Sequence, residues 1–563
     1  MKIMIKTHNK AKYLAITIAM FSIAISSCKK QLDVKNPNLP TISGNVTTEA
    51  GIISLAQGAV YVNGFINGDG WLGNSYFSLP YGYIELMADN IGADASNNQV
   101  TTVGKPDYYI KDDGTKVINP SPQVKVLRGF NIYGGSGNNP LYFQWLNMYA
   151  MNGACNTVLS LAGKIPFTGN ADSRLKTIEA WCYWWKGYAY AGIGTLYYSG
   201  LIQDEPDNKV NPNYKIKDSI LARSNYYFKL AASTLSGITS QDDYTAVLGQ
   251  LIPSFCQVAH GGVPSTDMWK RNINTMLARN ILMNKLSPFV NQNPAATIAR
   301  SSTSVMTSAD WNTVLQLASD GIRSDDVVFS VTSVSENGVF TPSSGCAAAE
   351  TTGPNISATF KISVRYAQNF NAGDRRFTQN FRTGSTYNNP FYGTPYNIVD
   401  SLQQSVTGTY VIGSKQTGQY EVYIAGSYEE NALMLAEANI RSGNIETGLS
   451  YIDAVRTYQG AGVAPVTGTS LDLAGAMTQL TRERRAALIF RGIEYYDARR
   501  WGWTYDISQG GGSYGNLLFN VDGTFDHNVT ISYNFMDYWD VPADETTLNV
   551  PAAGSAPVKN PNY

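Results

Sequence analysis

The chain has 563 residues, of which 43% are hydrophobic and only 15% charged. That composition supplies a large core and excludes a disordered chain, and a formal net charge of −1 excludes a sequence-independent hold on nucleic acid. The 36 tyrosines and 10 tryptophans offer flat, amphipathic contact area with few rotatable bonds, suited to stacking on sugars or peptides. The length admits several domains or a single helical solenoid with inserted loops.

The N-terminus, residues 1–27, reads as a targeting segment. Lys2, Lys6, Lys10 and Lys12 form a positive start, and Tyr13 to Ile25 is an apolar run too short for a comfortable membrane span. Ile25-Ser26-Ser27-Cys28 is similar to a bacterial lipobox, which implies cleavage before Cys28 and acyl chains such as palmitate on that residue. Multiple acyl chains anchor stably where one does not. Lys29 and Lys30 follow, not the aspartate associated with inner-membrane retention. Cleavage would remove four lysines and move the formal charge from −1 to −5. Residues 28–45, with Pro37 and Pro40, read as a lipidated tether. The remaining cysteines, Cys155, Cys182, Cys256 and Cys346, lie far apart and read as buried thiols or chance surface residues rather than a disulfide framework. Two isolated histidines, His260 and His527, speak against a His-based zinc site.

Residues 46–563 read as a single domain. Glu49 to Val62 forms a first helix, and Phe65 to Gly73 a glycine-rich loop with Trp71 exposed. Tyr76 to Asp89 includes a helix through Ile84, Leu86 and Met87. Residues 91 to 140 are loop-like and carry Tyr108, Tyr109, Asn131 and Tyr133; a loop of that length is functional or disordered. Helical spacing then marks Trp145 to Ala162, Leu175 to Tyr198, Ser219 to Leu235 with Asp218 as N-cap, Asp267 to Leu286, and Trp311 to Ile322. Residues 323–425 change to an irregular, mostly non-helical insertion, where Tyr387, Phe391, Tyr392 and Tyr396 cluster with Gly and Pro. The best-marked hairpin is 429–442 and 444–457, with Gly443 at C′, Asn444 as cap, and Ala436 and Gly448 allowing close approach. Glu437 falls in its apolar stripe and needs a partner, first among Arg484, Arg485 and Arg500.

Leu480 to Trp503 reads as one amphipathic helix, with Ala486, Ile489, Phe490, Ile493, Tyr496 and Asp497 on its buried stripe. Arg482, Arg484, Arg485, Arg491 and Arg499 are expected on its solvated side. Glu483, Arg484, Arg485, Leu488, Phe490, Gly492, Asp497, Arg500, Trp501 and Gly502 resemble the C-terminal signature of the SusD/RagB family of outer-membrane, nutrient-binding lipoproteins. Arg491 departs from the acidic residue usual before that glycine, and Ile493 from the basic residue often found after it. Further patches are similar to the family: Leu433 to Asn444, Tyr451 to Arg456, Asp374 to Arg376, Trp539 to Pro542, and Asn560 to Tyr563.

The resemblance implies a mainly α, tetratricopeptide-like superhelix with long irregular loops and a little β. The scaffold would occupy 46–322 and 426–505, with the insertion at 323–425 and a C-terminal extension at 506–563. The implied function is a lipoprotein on the exterior of a Gram-negative outer membrane. It would capture oligosaccharide, or alternatively peptide, and deliver it to a SusC-like TonB-dependent channel. No nucleophile elbow, phosphate loop or metalloprotease motif occurs, so no catalytic residue, metal or cofactor is assigned. A lipid-anchored glycosidase is the enzymatic alternative. Three acidic pairs, Asp112-Asp113, Asp242-Asp243 and Asp325-Asp326, read as solvated loop charges. Asp89 and Asp94 are weak calcium candidates. The ligand candidates are Trp71, Tyr108, Tyr109, Asn131, Tyr133, Tyr387, Tyr392 and Tyr396, while the arginines and Asp497 of the signature are expected to be structural.

Overall fold

Packing passes from helix to helix along the chain in this computed structural model. It describes residues 46–61, 82–93, 98–134, 139–206, 211–286, 306–332, 360–389, 391, 393–399, 406–414 and 418–561. Cys28, the tether, Trp71, Asp94, Cys346 and Tyr392 lie outside the described residues. The scaffold helices are α1 (Glu49–Val60), α2 (Tyr142–Ala162), α3 (Ala171–Leu196), α4 (Lys217–Ser236), α5 (Gln241–Leu251), α6 (Thr266–Asn284), α7 (Ser308–Ser319), α8 (Tyr428–Arg441), α9 (Ile445–Tyr458), α10 (Leu473–Leu488) and α11 (Glu494–Arg500). α1 packs on α2, α2 on α3, α3 on α4, α4 on α6, α6 on α7, and α7 on α8. α8 then meets both α9 and α10. This is a mainly α scaffold of antiparallel hairpins. No helix among the described residues is long and apolar enough to cross a membrane.

The centre of the core follows from α3, whose residues are apolar nearly all round. Trp181, Trp184 and Trp185 meet Trp269 of α6 and Phe329 edge-on or tilted. Asn170 caps α3 through Ser173 N at 3.0 Å. In the α8–α9 hairpin the small residue at 448 is required. A Cβ there would stand 2.7 Å from the Ala436 carbonyl oxygen. Gly443, at φ 87°, ends α8 as expected.

Strands serve as ties. A four-stranded antiparallel sheet runs in the order Ser513–Phe519, Phe525–Ser532, Tyr108–Ile110, Lys116–Ile118, so the C-terminal extension is sewn to the early loop region. Phe329–Thr332 pairs with Glu421–Ala425, and Phe381–Tyr387 with Thr394–Ile398.

Several expectations are corrected. Residues 91 to 140 are not continuous loop: they hold strands and the helix Gln123–Phe130. α5 was not expected. Ile216, not Asp218, is the N-cap of α4, and Asn444 makes no side-chain capping bond. Asp326 is buried and forked on Arg271, not solvated. Asp89 is taken by Arg365 and by Ser363 at 3.0 Å, which leaves it no role as a calcium ligand.

The largest correction concerns 480–503, which is two helices and not one. The chain leaves α10 at Ile489, and both Phe490 (φ 57°) and Gly492 (φ 71°) take left-handed backbone. Glu85 holds the break open by accepting from Phe490 N at 3.0 Å. Burial pushes the Glu85 carboxyl up to about 7, and burial together with Glu85 raises its neighbour Glu494 as well. The pair therefore shares protons at the joint. The arginines of this stretch are not solvated either: Arg484, Arg485, Arg491 and Arg499 are all buried. Arg484 donates to Asp497 at 2.7 Å. Arg500 donates to Asp497 at 2.7 Å and forks onto Glu437 with two bonds of 2.6 Å. Glu483 accepts from Arg376 at 2.6 Å and from Arg456 at 2.8 Å. The partner sought for Glu437 is thus Arg500, and the signature clamps α10 and α11 onto the α8–α9 hairpin.

Candidate functional site

α11 ends in a Schellman cap. Gly502 has φ 86°, its N–H reaches Arg499 O at 3.1 Å, and Trp503 N reaches Ala498 O at 3.0 Å. This cap sets Trp501 and Trp503 at the mouth of a cleft of about 530 Å³, lined also by Arg365, Gln368, Asn369, Thr478, Thr481, Arg482, Arg485 and residues 512–517. A second cleft of about 380 Å³, lined by Phe370, Phe377 and Tyr396, shares Gln368 and Leu517 with the first. Each falls in the range of roughly 300–1,000 Å³ usual for small-molecule sites. Rings line each of the two clefts.

The side chains of the first cleft are held differently. Trp503 stacks on Tyr533 at 5.4 Å and 13°, and the Arg485 guanidinium lies 4.8 Å from its ring. Tyr514 is half-buried, and its hydroxyl donates to Gly511 O at 3.0 Å. Gln368 fixes the strand opposite by accepting from Leu517 N at 2.6 Å. Two buried donors in the wall, Arg365 Nη1 and Trp501 Nε1, have no hydrogen-bond partner among the described residues.

The charge is one-sided. None of the described residues lining the first cleft is acidic. Arg365 is neutralised by Asp89. Among the described residues Arg485 donates only to backbone carbonyls, Ala88 O at 2.9 Å and Asp89 O at 3.4 Å. Arg482 has only long bonds, 3.4 Å each, to Gln368 O and Phe370 O. Burial draws the pKa of both Arg482 and Arg485 below the ordinary arginine value. In the second cleft Asp374 is neutralised by Arg376 at 2.8 Å.

No family model and no curated protein matches the sequence. Solved structures do match. A SusD homolog from Bacteroides thetaiotaomicron VPI-5482 aligns at TM-score 0.55 and 12% identity, covering 93% of this chain and 98% of its own. The chain has a SusD-like fold. A SusD-like carbohydrate binding protein from Bacteroides vulgatus ATCC 8482 aligns at TM-score 0.52 and 12% identity, over 91% and 98% of the two chains. A protein crystallised with xylogluco-oligosaccharide aligns at TM-score 0.53 and 15% identity, over 90% and 99%.

Within this SusD-like fold the sequence-chosen residues scatter. Tyr396 lines the second cleft and packs edge-on against Phe377 at 5.3 Å. Tyr109 is buried against Phe391, so it packs the sheet and does not offer a stacking face. Asn131 is consumed in structure, donating to Val541 O and accepting from Ala543 N. Tyr108 lies under Lys116, whose Nζ is 3.6 Å from the ring centre. Lys361 Nζ lies 5.3 Å from the Tyr387 ring centre. Tyr133 is 58% exposed, away from both clefts. Arg482, expected on a solvated helix face, and Gln368, Asn369 and Tyr514 were not among the ligand candidates. The one available signal was the Trp501-Gly502-Trp503 run, where two large rings flank a turn.

Proposed function

We propose that this protein captures oligosaccharide without cleaving it. The observation that carries the reading is the cleft wall, where the N–H donors of Arg482, Gln368, Asn369 and Asn516 line the space beside the rings of Trp503 and Tyr514. Sugar hydroxyls and ring oxygens would accept from those donors, while C–H faces pack on rings. Retaining and inverting glycosidases need two facing carboxyls, and none of the described residues lining the first cleft carries one. The SusD-like fold supports the same reading, since one structural neighbour is a carbohydrate binding protein and another was crystallised with xylogluco-oligosaccharide. With the lipobox, this supports a protein lipidated at Cys28, on the outer face of the outer membrane, that hands its ligand to a SusC-like TonB-dependent channel. Calorimetry with a panel of oligosaccharides and peptides tests the binding. Heat with a glycan, lost in Tyr514→Ala, is the expected result. Silence across the glycans, or hydrolysis products in the cell, would sink it; heat with peptides alone would favour the peptide reading.

A further inference from the structure

Charge in a buried wall is informative about what the wall meets. Elsewhere in this chain several buried guanidiniums are matched to carboxylates, Arg376 and Arg456 to Glu483, Arg484 to Asp497, Arg500 to Glu437 and Asp497, while Arg499 is satisfied by three short bonds to backbone carbonyls. Arg482 and Arg485 are the departures in the cleft. Neither forms an ion pair with any described residue, although Arg485 is only 4% exposed. They sit at i and i+3 on α10, hence on one face of that helix. Arg365 joins them with its Nη1 unpartnered. Carboxylates of the same region are engaged elsewhere: Asp89 is held by Arg365 and Ser363, Glu483 by Arg376 and Arg456, and Glu494 faces Glu85, with burial and that neighbour raising its pKa.

We propose that the cleft selects acidic glycans, with a uronate carboxylate of the ligand seated against Arg482 and Arg485. A carboxylate accepts two N–H groups of one guanidinium side by side, a geometry that a neutral hydroxyl cannot reproduce. A neutral sugar would leave the positive charge buried and uncompensated in the closed cleft. The inference rests on the oligosaccharide reading above and deepens it.

The matched probes are trigalacturonate and its methyl ester, in which each carboxylate becomes a neutral ester on the same sugar backbone, with a neutral xylogluco-oligosaccharide as a third arm. Calorimetry on the full chain at low and high salt is expected to show the acid binding about tenfold or more tighter than the ester, as a charged hydrogen bond worth ~1.5–3 kcal/mol implies. That preference should shrink with added salt. Arg482→Gln, at a half-buried position with only long bonds, keeps the fold and should bring acid and ester within about threefold of each other. Equal affinity for acid and ester, or a preference untouched by Arg482→Gln, overturns the proposal. Binding of the neutral oligosaccharide alone overturns it while leaving the oligosaccharide reading in place. Binding of none of the three probes overturns the acidic preference, and silence across the wider glycan panel sinks the oligosaccharide reading too.

Discussion

Arg500→Met tests the clamp that the signature forms. Arg500 makes three of the bonds in that network, two to Glu437 and one to Asp497. Burial alone would push the Glu437 carboxyl up, but the charge and hydrogen bonds of Arg500, aided by Arg441 and Arg484, hold it at about 2. A carboxyl held near 2 rather than its ordinary 4.5 corresponds to about 3 kcal/mol of native stability. The general range for removing one partner of a buried pair, ~3–5 kcal/mol, agrees. The sign is fixed by the downward shift. The contribution is full above pH 4.5 and is lost as pH falls towards 2. Urea unfolding followed by tryptophan fluorescence should therefore show Arg500→Met losing about 3 kcal/mol at pH 7 with an unchanged slope. The gap to the parent should narrow at pH 3. Glu437→Leu with Arg500→Met should recover much of the loss, because the orphaned carboxylate is then gone. A single-variant loss below about 1 kcal/mol at pH 7, or a gap that does not depend on pH, would refute the clamp.

Glu85 and Glu494 give the opposite pH dependence. Their native pKa values are raised, Glu85 to about 7, so the stability they confer is present below pH 4.5 and drains as pH climbs through 7. Glu494→Gln should flatten that decline between pH 5 and 8, and parallel curves would count against the shared proton. Gly448→Ala should destabilise by ~1–3 kcal/mol, since the new Cβ meets the Ala436 carbonyl, although helix propensity alone would favour it by ~1 kcal/mol. Tyr410→Phe removes a buried hydroxyl with no partner among the described residues, so thermal unfolding should show stability held or raised, and a fall above about 1 kcal/mol would mean a hidden partner. Cys28→Ala should move the protein from the membrane to the soluble fraction, and persistence in the membrane would exclude lipidation there.

What could be read from the sequence was local. The α8–α9 hairpin follows from one apolar stripe, a C′ glycine and a small residue at 448, all within 31 residues of chain from 428 to 458. The Glu437–Arg500 pair was legible because a carboxylate in an apolar stripe demands a cation. α5 has a signal too, since Ser240 caps Asp243 N at 3.3 Å, but its apolar stripe is short. The break after α10 was not legible, because its cause, Glu85, lies 405 residues earlier. Tyr108–Ile110 pairs on one side with Phe525–Ser532 from the other end of the chain, but on the other with Lys116–Ile118, a local hairpin that the Asp113-Gly114 turn could have signalled.

The cleft shows the same limit and a way past it. Arg365, Arg482 and Tyr514 come from three segments that only tertiary packing unites, so no spacing rule could gather them. Yet the arginines of α10 and α11 separate once acids are assigned. Arg484 and Arg500 have carboxylates within 2.7 Å and lie where helices are clamped. Arg499 satisfies three backbone carbonyls at 2.7–2.8 Å and fixes chain crossings. Arg482 and Arg485 have neither a carboxylate nor, for Arg482, a short bond, and both face the cleft. The helix break makes this division possible. A continuous helix would carry the chain onward from 489, whereas the turn at Phe490–Gly492 brings Trp501 and Trp503 back beside Arg485. Ligand binding and scaffold clamping would then be two faces of one signature, told apart by which of its cations the chain itself has neutralised.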